Sequence, residues 1–217
     1  MSGLSFEDRF GMIVDRQWSD RKNAQIQRIK KAATFKFPNA CIENMHYYAD
    51  RKLDKEQILQ LACGKYIGAK NNIIVMGASG AGKSYVACAL GVSACRQLIK
   101  TKYIRLSELL EDLNIARGEG TYKKVIAAYK KYRLLIFDEW LISPLTVGQT
   151  ADLFEIIESR YGETSTIFIA QSAPAGWCQM IGESRIADAI LDRIVHNSHQ
   201  IMIEGKISMR ERIGLNE

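Results

Sequence analysis

Gly77-Ala78-Ser79-Gly80-Ala81-Gly82-Lys83-Ser84 satisfies G-x-x-x-x-G-K-[ST] in full, and no other feature narrows the possible folds as much. It follows the apolar run Ile73-Ile74-Val75-Met76 directly and opens a helical stretch, the strand–loop–helix setting that the motif requires. Glycines let such a loop wrap an anion with its N–H groups turned inward, and the helix N-terminus adds positive potential. The backbone from Gly77 to Ser84, with Tyr85 next in line, is therefore expected to cradle the phosphates of ATP. Lys83 should reach the β- and γ-phosphates, and the Ser84 hydroxyl should ligate Mg²⁺.

The pattern from Asn72 onward agrees with that demand. Short apolar runs at 73–76, 103–106, 134–137, 167–170 and 201–203 alternate with helical patterns at 84–99, 107–117, 146–161 and 184–196. Three of the runs are nearly continuous hydrophobics, as strands covered on both faces should be. Thr146-Val147-Gly148-Gln149 reads as a capping box and Asp54 as the N-cap of a helix over 54–63. The expectation is an α/β fold with a central five-stranded parallel sheet flanked by helices. Residues 4–36 read as two helices, with Phe6, Phe10, Ile13, Val14 and Trp18 at helical spacing, until Phe37-Pro38-Asn39 breaks the pattern. We divide the chain into a helical N-terminal region, 1–38, and an ATPase domain, 39–217.

Composition adds less. Thirty Lys and Arg against 24 Asp and Glu leave a charge of +6, which suits a polyanionic partner without requiring one. The five cysteines form no C-x-x-C pair, which argues against a zinc site or a disulfide framework; buried thiols in a reducing compartment are expected. With no signal peptide and no apolar run of about 18 residues, the expected location is the cytoplasm.

A second chemical element is Leu134-Leu135-Ile136-Phe137-Asp138-Glu139, a buried strand delivering two adjacent carboxylates. Asp138 should hold Mg²⁺ through water, and Glu139 should orient or polarise the attacking water. A strand intervenes between this pair and Lys83, an order unlike that of nucleotide kinases and GTPases. It resembles the AAA+ ATPases, in which a polar residue ending a later strand senses the γ-phosphate. Gln171 is the candidate, with Ser172 in reserve, although an ordinary polar strand end accounts for either equally well. Arg193, on the amphipathic stretch 186–194, is a candidate arginine finger for a neighbouring subunit's site. Pairing with Asp192 or Asp188 is its plainer reading, and Arg185 is the competing finger. Arg21, Lys22, Arg28, Lys30 and Lys31 form one basic cluster, which Arg16 and Lys36 extend. Lys123 and Lys124 lie in a second. Both are either solvated helix faces or contacts to DNA phosphates, and no base-reading motif accompanies them.

In this order the elements resemble the IstB family, the helper ATPases encoded beside the transposase of certain bacterial insertion sequences. The likeness is carried by Leu4-Ser5-Phe6-Glu7-Asp8-Arg9, Leu53-Asp54-Lys55, Ala87-Cys88-Ala89-Leu90 and Tyr103-Ile104-Arg105-Leu106. It extends through Asp188-Ala189-Ile190-Leu191-Asp192-Arg193-Ile194-Val195-His196-Asn197 and Ser208-Met209-Arg210. More distant are the DnaC-type helicase loaders, the alternative reading, for which single-stranded DNA and a helicase are the partners. A nucleotide-controlled scaffold with little hydrolysis is a third. The resemblance implies an AAA+ P-loop core behind a small helical domain, without a large C-terminal lid. It also implies ATP-dependent binding to duplex DNA with little sequence preference, assembly into homo-oligomeric rings or filaments, and recruitment of a transposase that stimulates hydrolysis. Many members carry Asp-Asp-Trp where this chain has Asp138-Glu139-Trp140. Members also open with extra helical residues, a difference that bears on assembly more than on nucleotide binding.

Overall fold

The computed structural model describes residues 5–182, 185–205 and 207–214. Its strands are β1 (Asn72–Gly77), β2 (Thr101–Arg105), β3 (Leu134–Trp140), β4 (Ser165–Ala170) and β5 (Ser198–Ile203). They form one sheet in the order β2-β3-β4-β1-β5, with every neighbouring pair parallel. Connections between parallel strands must cross over, and helices make them. In chain order the helices are α1 (Phe6–Ala32), α2 (Lys55–Ala62), α3 (Lys65–Gly68), α4 (Lys83–Arg96) and α5 (Leu106–Gly118). There follow α6 (Tyr122–Lys130), α7 (Val147–Arg160), α8 (Trp177–Ile181), α9 (Arg185–Val195) and α10 (Met209–Gly214).

Side chains alternate across the sheet and so feed two cores. Ile73, Val75, Ile136, Ile167 and Ile169 pack towards α2, α3 and α4. Ile74, Leu135, Phe137 and Phe168 pack towards α5, α7, α8 and α9. The central strands are buried on both faces, while the edge strand β5 alternates, as the continuous and broken apolar runs of the sequence led us to expect. Gly91 lets α4 lie close on the sheet: a Cβ there would come within 2.6 Å of the Phe35 ring and 2.8 Å of Ile136. Because β1 sits between β4 and β5, with β3 one strand further along, the ends of β1, β3 and β4 open onto one place.

Local signals fixed several boundaries. Asp54 caps α2 by accepting from the amides of Glu56 and Gln57, at 2.8 and 3.2 Å. Thr146 and Gln149 exchange bonds across the first turn of α7 at 2.9 and 3.3 Å. Leu106 starts α5 instead of ending β2, and β3 runs on through Asp138 and Glu139 to Trp140. Cys88 and Cys95 are buried as expected, but Cys63 is exposed. No helix among the described residues is long and apolar enough to cross a membrane. Leu4 of the opening signature and Ser184 of the predicted helix lie outside the described residues.

The N-terminal region departs from its reading. Residues 6–32 form one helix, because the polar stretch 19–25 contains no proline or glycine to end it. Ser5 and Asp8 close a capping box at its start. Its apolar stripe faces solvent, with Phe6 74% and Trp18 71% exposed, and only its C-terminal end meets α4 and β2. Beyond it, Ala33 accepts from the Tyr103 amide at 2.9 Å and the Thr34 hydroxyl donates to the Tyr103 carbonyl at 3.1 Å. This segment thereby covers the outer edge of β2.

One buried cation ties the far end of the sheet together. Arg160 donates to the carbonyls of Tyr129, Tyr132 and Ser165 at 2.8, 2.9 and 2.7 Å, and to the Thr166 hydroxyl at 3.1 Å. Burial pushes its pKa down to about 9, which still leaves it protonated at neutral pH. Arg160→Met should remove four buried hydrogen bonds and lower unfolding stability by about 3 kcal/mol in a denaturant titration. Arg160→Lys should recover little, since one ammonium cannot replace a planar fork.

Candidate functional site

The loop after β1 turns back sharply into α4, with Gly80 and Gly82 at φ of 77° and 87°, a region costly for any residue with a Cβ. A side chain at Gly82 would also meet the Arg51 guanidinium at 2.9 Å. Arg51 is buried and braces the loop from behind, donating to Ala81 O at 2.8 Å and to His46 O at 2.7 Å. From the C-terminal side, the Met209 amide donates to Gly80 O at 2.8 Å. Lys83 folds inward onto Gly77 O and Ala78 O at 2.8 and 2.7 Å. Burial pushes its pKa down, and the charge of Asp138 opposes that shift. A lysine parked on two loop carbonyls is a cation held in readiness where the loop can receive phosphate.

Across from the loop, the end of β3 presents Asp138, which is 3% exposed. Its Oδ2 accepts from the Ser84 hydroxyl at 2.8 Å and from the Tyr103 hydroxyl, while its Oδ1 accepts from the Glu139 amide at 2.8 Å. Burial and the bond to Asp138 drive the Tyr103 pKa well above the ordinary phenol range. Lys36 Nζ stands 3.7 Å from the same Oδ2. Glu139 is half-buried with φ of 57°, a left-handed backbone unusual for glutamate. Arg105, at the end of β2, reaches Glu139 at 3.9 Å and Glu108 at 3.8 Å. Ser84 and Asp138 supply two hard oxygens side by side, and no group of three or more His, Cys, Asp or Glu among the described residues could cage a metal alone. That donor set fits Mg²⁺, which is usually shared between a carboxylate, a hydroxyl, water and the phosphates of its nucleotide.

Loop, lysine and carboxylates border one cavity of about 350 Å³. Ser79, Gly80, Gly82, Lys83, Ser84 and Tyr85 line it, together with Asp138, Glu139 and Gln171. Gln171, just beyond the end of β4, lines the same cavity, whereas the Ser172 carbonyl accepts from the Trp177 indole at 3.1 Å. Lys36, read in the sequence only as part of the first basic cluster, lines this cavity as well, and sequence reasoning missed Phe37, Asn44, Met45, His46, Arg51 and Met209 as site residues. Residues 36–51 have no periodicity to read. The available hint was that Leu53-Asp54-Lys55 and Ser208-Met209-Arg210, noted for resemblance alone, flank them in sequence or in space. Phe37 and Tyr85, 6.0 Å apart between ring centroids, form an aromatic corner.

The remaining candidates lie elsewhere. Arg193 pairs with Glu158 instead of Asp188 or Asp192, donates to Ala189 O at 2.9 Å, and lies 5.4 Å from the Phe154 ring. Arg185 is exposed at the start of α9. Arg21, Lys22, Arg28 and Lys31 are exposed along α1, and Lys30 is half-buried there. Lys123 and Lys124 are exposed on α6, which packs on α5 and α7 in the opposite layer. The two basic clusters therefore belong to different sides of the sheet.

Comparison with known proteins agrees with this geometry. Residues 2–215 match the family described as IstB-like ATP binding protein. An insertion-sequence ATP-binding protein of Sinorhizobium fredii is 39% identical over 212 residues, covering 96% of this chain and 85% of that protein. The ATP-binding protein of insertion sequence IS1162 from Pseudomonas fluorescens is 38% identical, over 77% of this chain and 73% of its own length. Among solved structures, the DnaC helicase loader superposes with a TM-score of 0.61 at 17% identity, over 76% of this chain and 97% of that one. AMPPCP-bound DnaA from Aquifex aeolicus gives 0.62 at 19% identity, over 76% and 50%. These two likenesses establish the AAA+ type of fold. Matched over nearly its whole length and closely related to insertion-sequence proteins, the chain belongs to the IstB-like ATP-binding protein family.

Proposed function

We propose that this protein is an ATPase that assembles on duplex DNA with little regard to sequence and brings a transposase to that DNA. The observation that carries the reading is the shared cavity, which the glycine-rich loop with Lys83 and Ser84 lines together with the Asp138–Glu139 pair. Membership in a family found with insertion sequences supports the biological setting.

In this reading Lys83 leaves Gly77 O and Ala78 O for the β- and γ-phosphates, and the helix N-terminus of α4 adds its field to theirs. Ser84 and Asp138 hold Mg²⁺, which when bound offsets phosphate charge. Glu139 takes up the proton of the attacking water, and its position beside Asp138 aims it into the cavity. Gln171, which lines the same cavity, orients that water or the γ-phosphate. Arg193 serves a neighbouring subunit's site in a homo-oligomer, which requires its release from Glu158; Arg185 is the alternative, already exposed. The cations of α1 and α6 take the DNA phosphates.

Replacing Glu139 by Gln should lower ATP turnover by about 100-fold or more while nucleotide binding persists. Unchanged turnover would remove Glu139 from its role and favour the scaffold reading. A gel-shift titration should give salt-sensitive binding to long duplex only with ATP, and a preference for single strands would instead favour a helicase loader. Changing Arg21, Lys22 and Arg28 together to Ala should weaken duplex binding and reduce the slope of log affinity against log salt by about 3. A slope unaltered by the triple change would return α1 to plain solvated surface.

A further inference from the structure

Asp138 Oδ2 is the point on which four elements converge. Ser84 from α4 and Tyr103 from β2 bring neutral hydroxyls to it, and β3 supplies the carboxylate itself. The fourth group is Lys36, whose ammonium lies 3.7 Å away and which comes from the irregular segment after α1. Among the described residues no other Lys or Arg reaches this carboxylate within 4.0 Å. Lys83, the other ammonium of the cavity, is turned away onto its own loop. The Lys36 ammonium is 36% exposed and makes no second ion pair among the described residues, so it has room to leave, while the Lys36 backbone stays beside the Cys88 thiol.

We propose that Lys36 is the resident counter-ion of Asp138, filling the electrostatic role that a divalent cation takes beside Ser84 and Asp138, and that it withdraws when nucleotide arrives with Mg²⁺. The inference rests on the nucleotide reading above. Two cations drawn to one carboxylate oxygen repel, and the doubly charged, phosphate-anchored one prevails. Lys36 therefore competes with the metal, and its departure has a structural address. It lies three residues beyond Ala33, where the chain leaves α1. The Tyr103 backbone holds Ala33 and Thr34, while the Tyr103 hydroxyl shares Oδ2 with Lys36. Asp138 is thus linked to the base of α1 twice, and withdrawal of Lys36 cuts the direct link.

The experiment is a Mg²⁺ titration of fluorescent ATP-analogue binding by the full chain, starting from EDTA, for wild type, Lys36→Met and Lys36→Arg. Hydrogen–deuterium exchange over residues 30–37 is read in the same states. Lys36→Met should reach half-saturation at about threefold lower Mg²⁺, the scale of a partly exposed ion pair, and Lys36→Arg should stay near wild type. In wild type, exchange over 30–37 should rise with nucleotide and Mg²⁺ but not with nucleotide in EDTA. In Lys36→Met it should be high throughout. An unchanged or increased Mg²⁺ requirement in Lys36→Met overturns the proposal, the increase marking Lys36 as a phosphate ligand instead. Wild-type exchange indifferent to Mg²⁺ also overturns it, and that arm needs no variant to fold. Wild type that binds no nucleotide in any state removes the site reading and this inference together, which distinguishes the two failures.

Discussion

A carboxylate in the protein interior is the constraint around which this structure is arranged. Without partners, an ionised group as enclosed as Asp138 would cost several kcal/mol or more. Relief comes from α4, β2, the following residue and the segment after α1, so secondary elements far apart in sequence are committed to one oxygen pair. Sheet register makes this feasible. Tyr103 pairs with Ile136, which places its ring diagonally from Asp138 on the face that α4 covers. The next residue bears the strain. Glu139 takes a left-handed backbone at an interruption of the β3–β4 register, of the kind that costs about 1–3 kcal/mol. Trp140 holds it there, wedged among Phe168 and Trp177 with ring centroids 4.6 and 5.6 Å away.

What could be read from the sequence was whatever chemistry or periodicity states locally. The loop from Gly77 to Ser84 declares itself by residue type, and the apolar runs declare the strands, because both constraints act within a few residues. Asp138-Glu139 was legible as the tip of such a run, though the continuation of β3 to Trp140 was not, since a register shift depends on the partner strand. Residues 4–36 were read as two helices where one runs through the polar stretch; polarity removes burial without removing helix-forming capacity. The back wall of the cavity stayed hidden. Arg51, His46 and Met209 acquire their places only when residues 36–51 and α10 close over the loop, and no one-dimensional pattern encodes that closure. Arg193 is similar: the acidic residues near it in sequence are Asp192 and, five residues back, Asp188, yet its partner Glu158 comes from α7.

Two guanidinium groups illustrate how the chain fastens irregular backbone without spending carboxylates. Arg160 gathers carbonyls from the ends of α6 and β4, and Arg51 gathers those of His46 and Ala81. Each fork replaces the ladder that regular structure would have provided. The carboxylates of Asp138 and Glu139 stand at the cavity instead.

The single helix at the N-terminus has a mechanical consequence. With 27 residues, α1 is about 40 Å long, held at its C-terminal end by the Ala33–Tyr103 bond and by packing of Ile29 on the core, with its N-terminal part clear of it. It has the form of a lever pivoting at Ala33, whose carbonyl is bonded to Tyr103, the residue whose hydroxyl reaches Asp138. A rotation of about 5° at Ala33 carries the Phe6 end through about 3.5 Å, several times the displacement at the pivot. A change of angle at Ala33 would therefore be felt mainly at the far end of α1, where Phe6 and Trp18 face solvent.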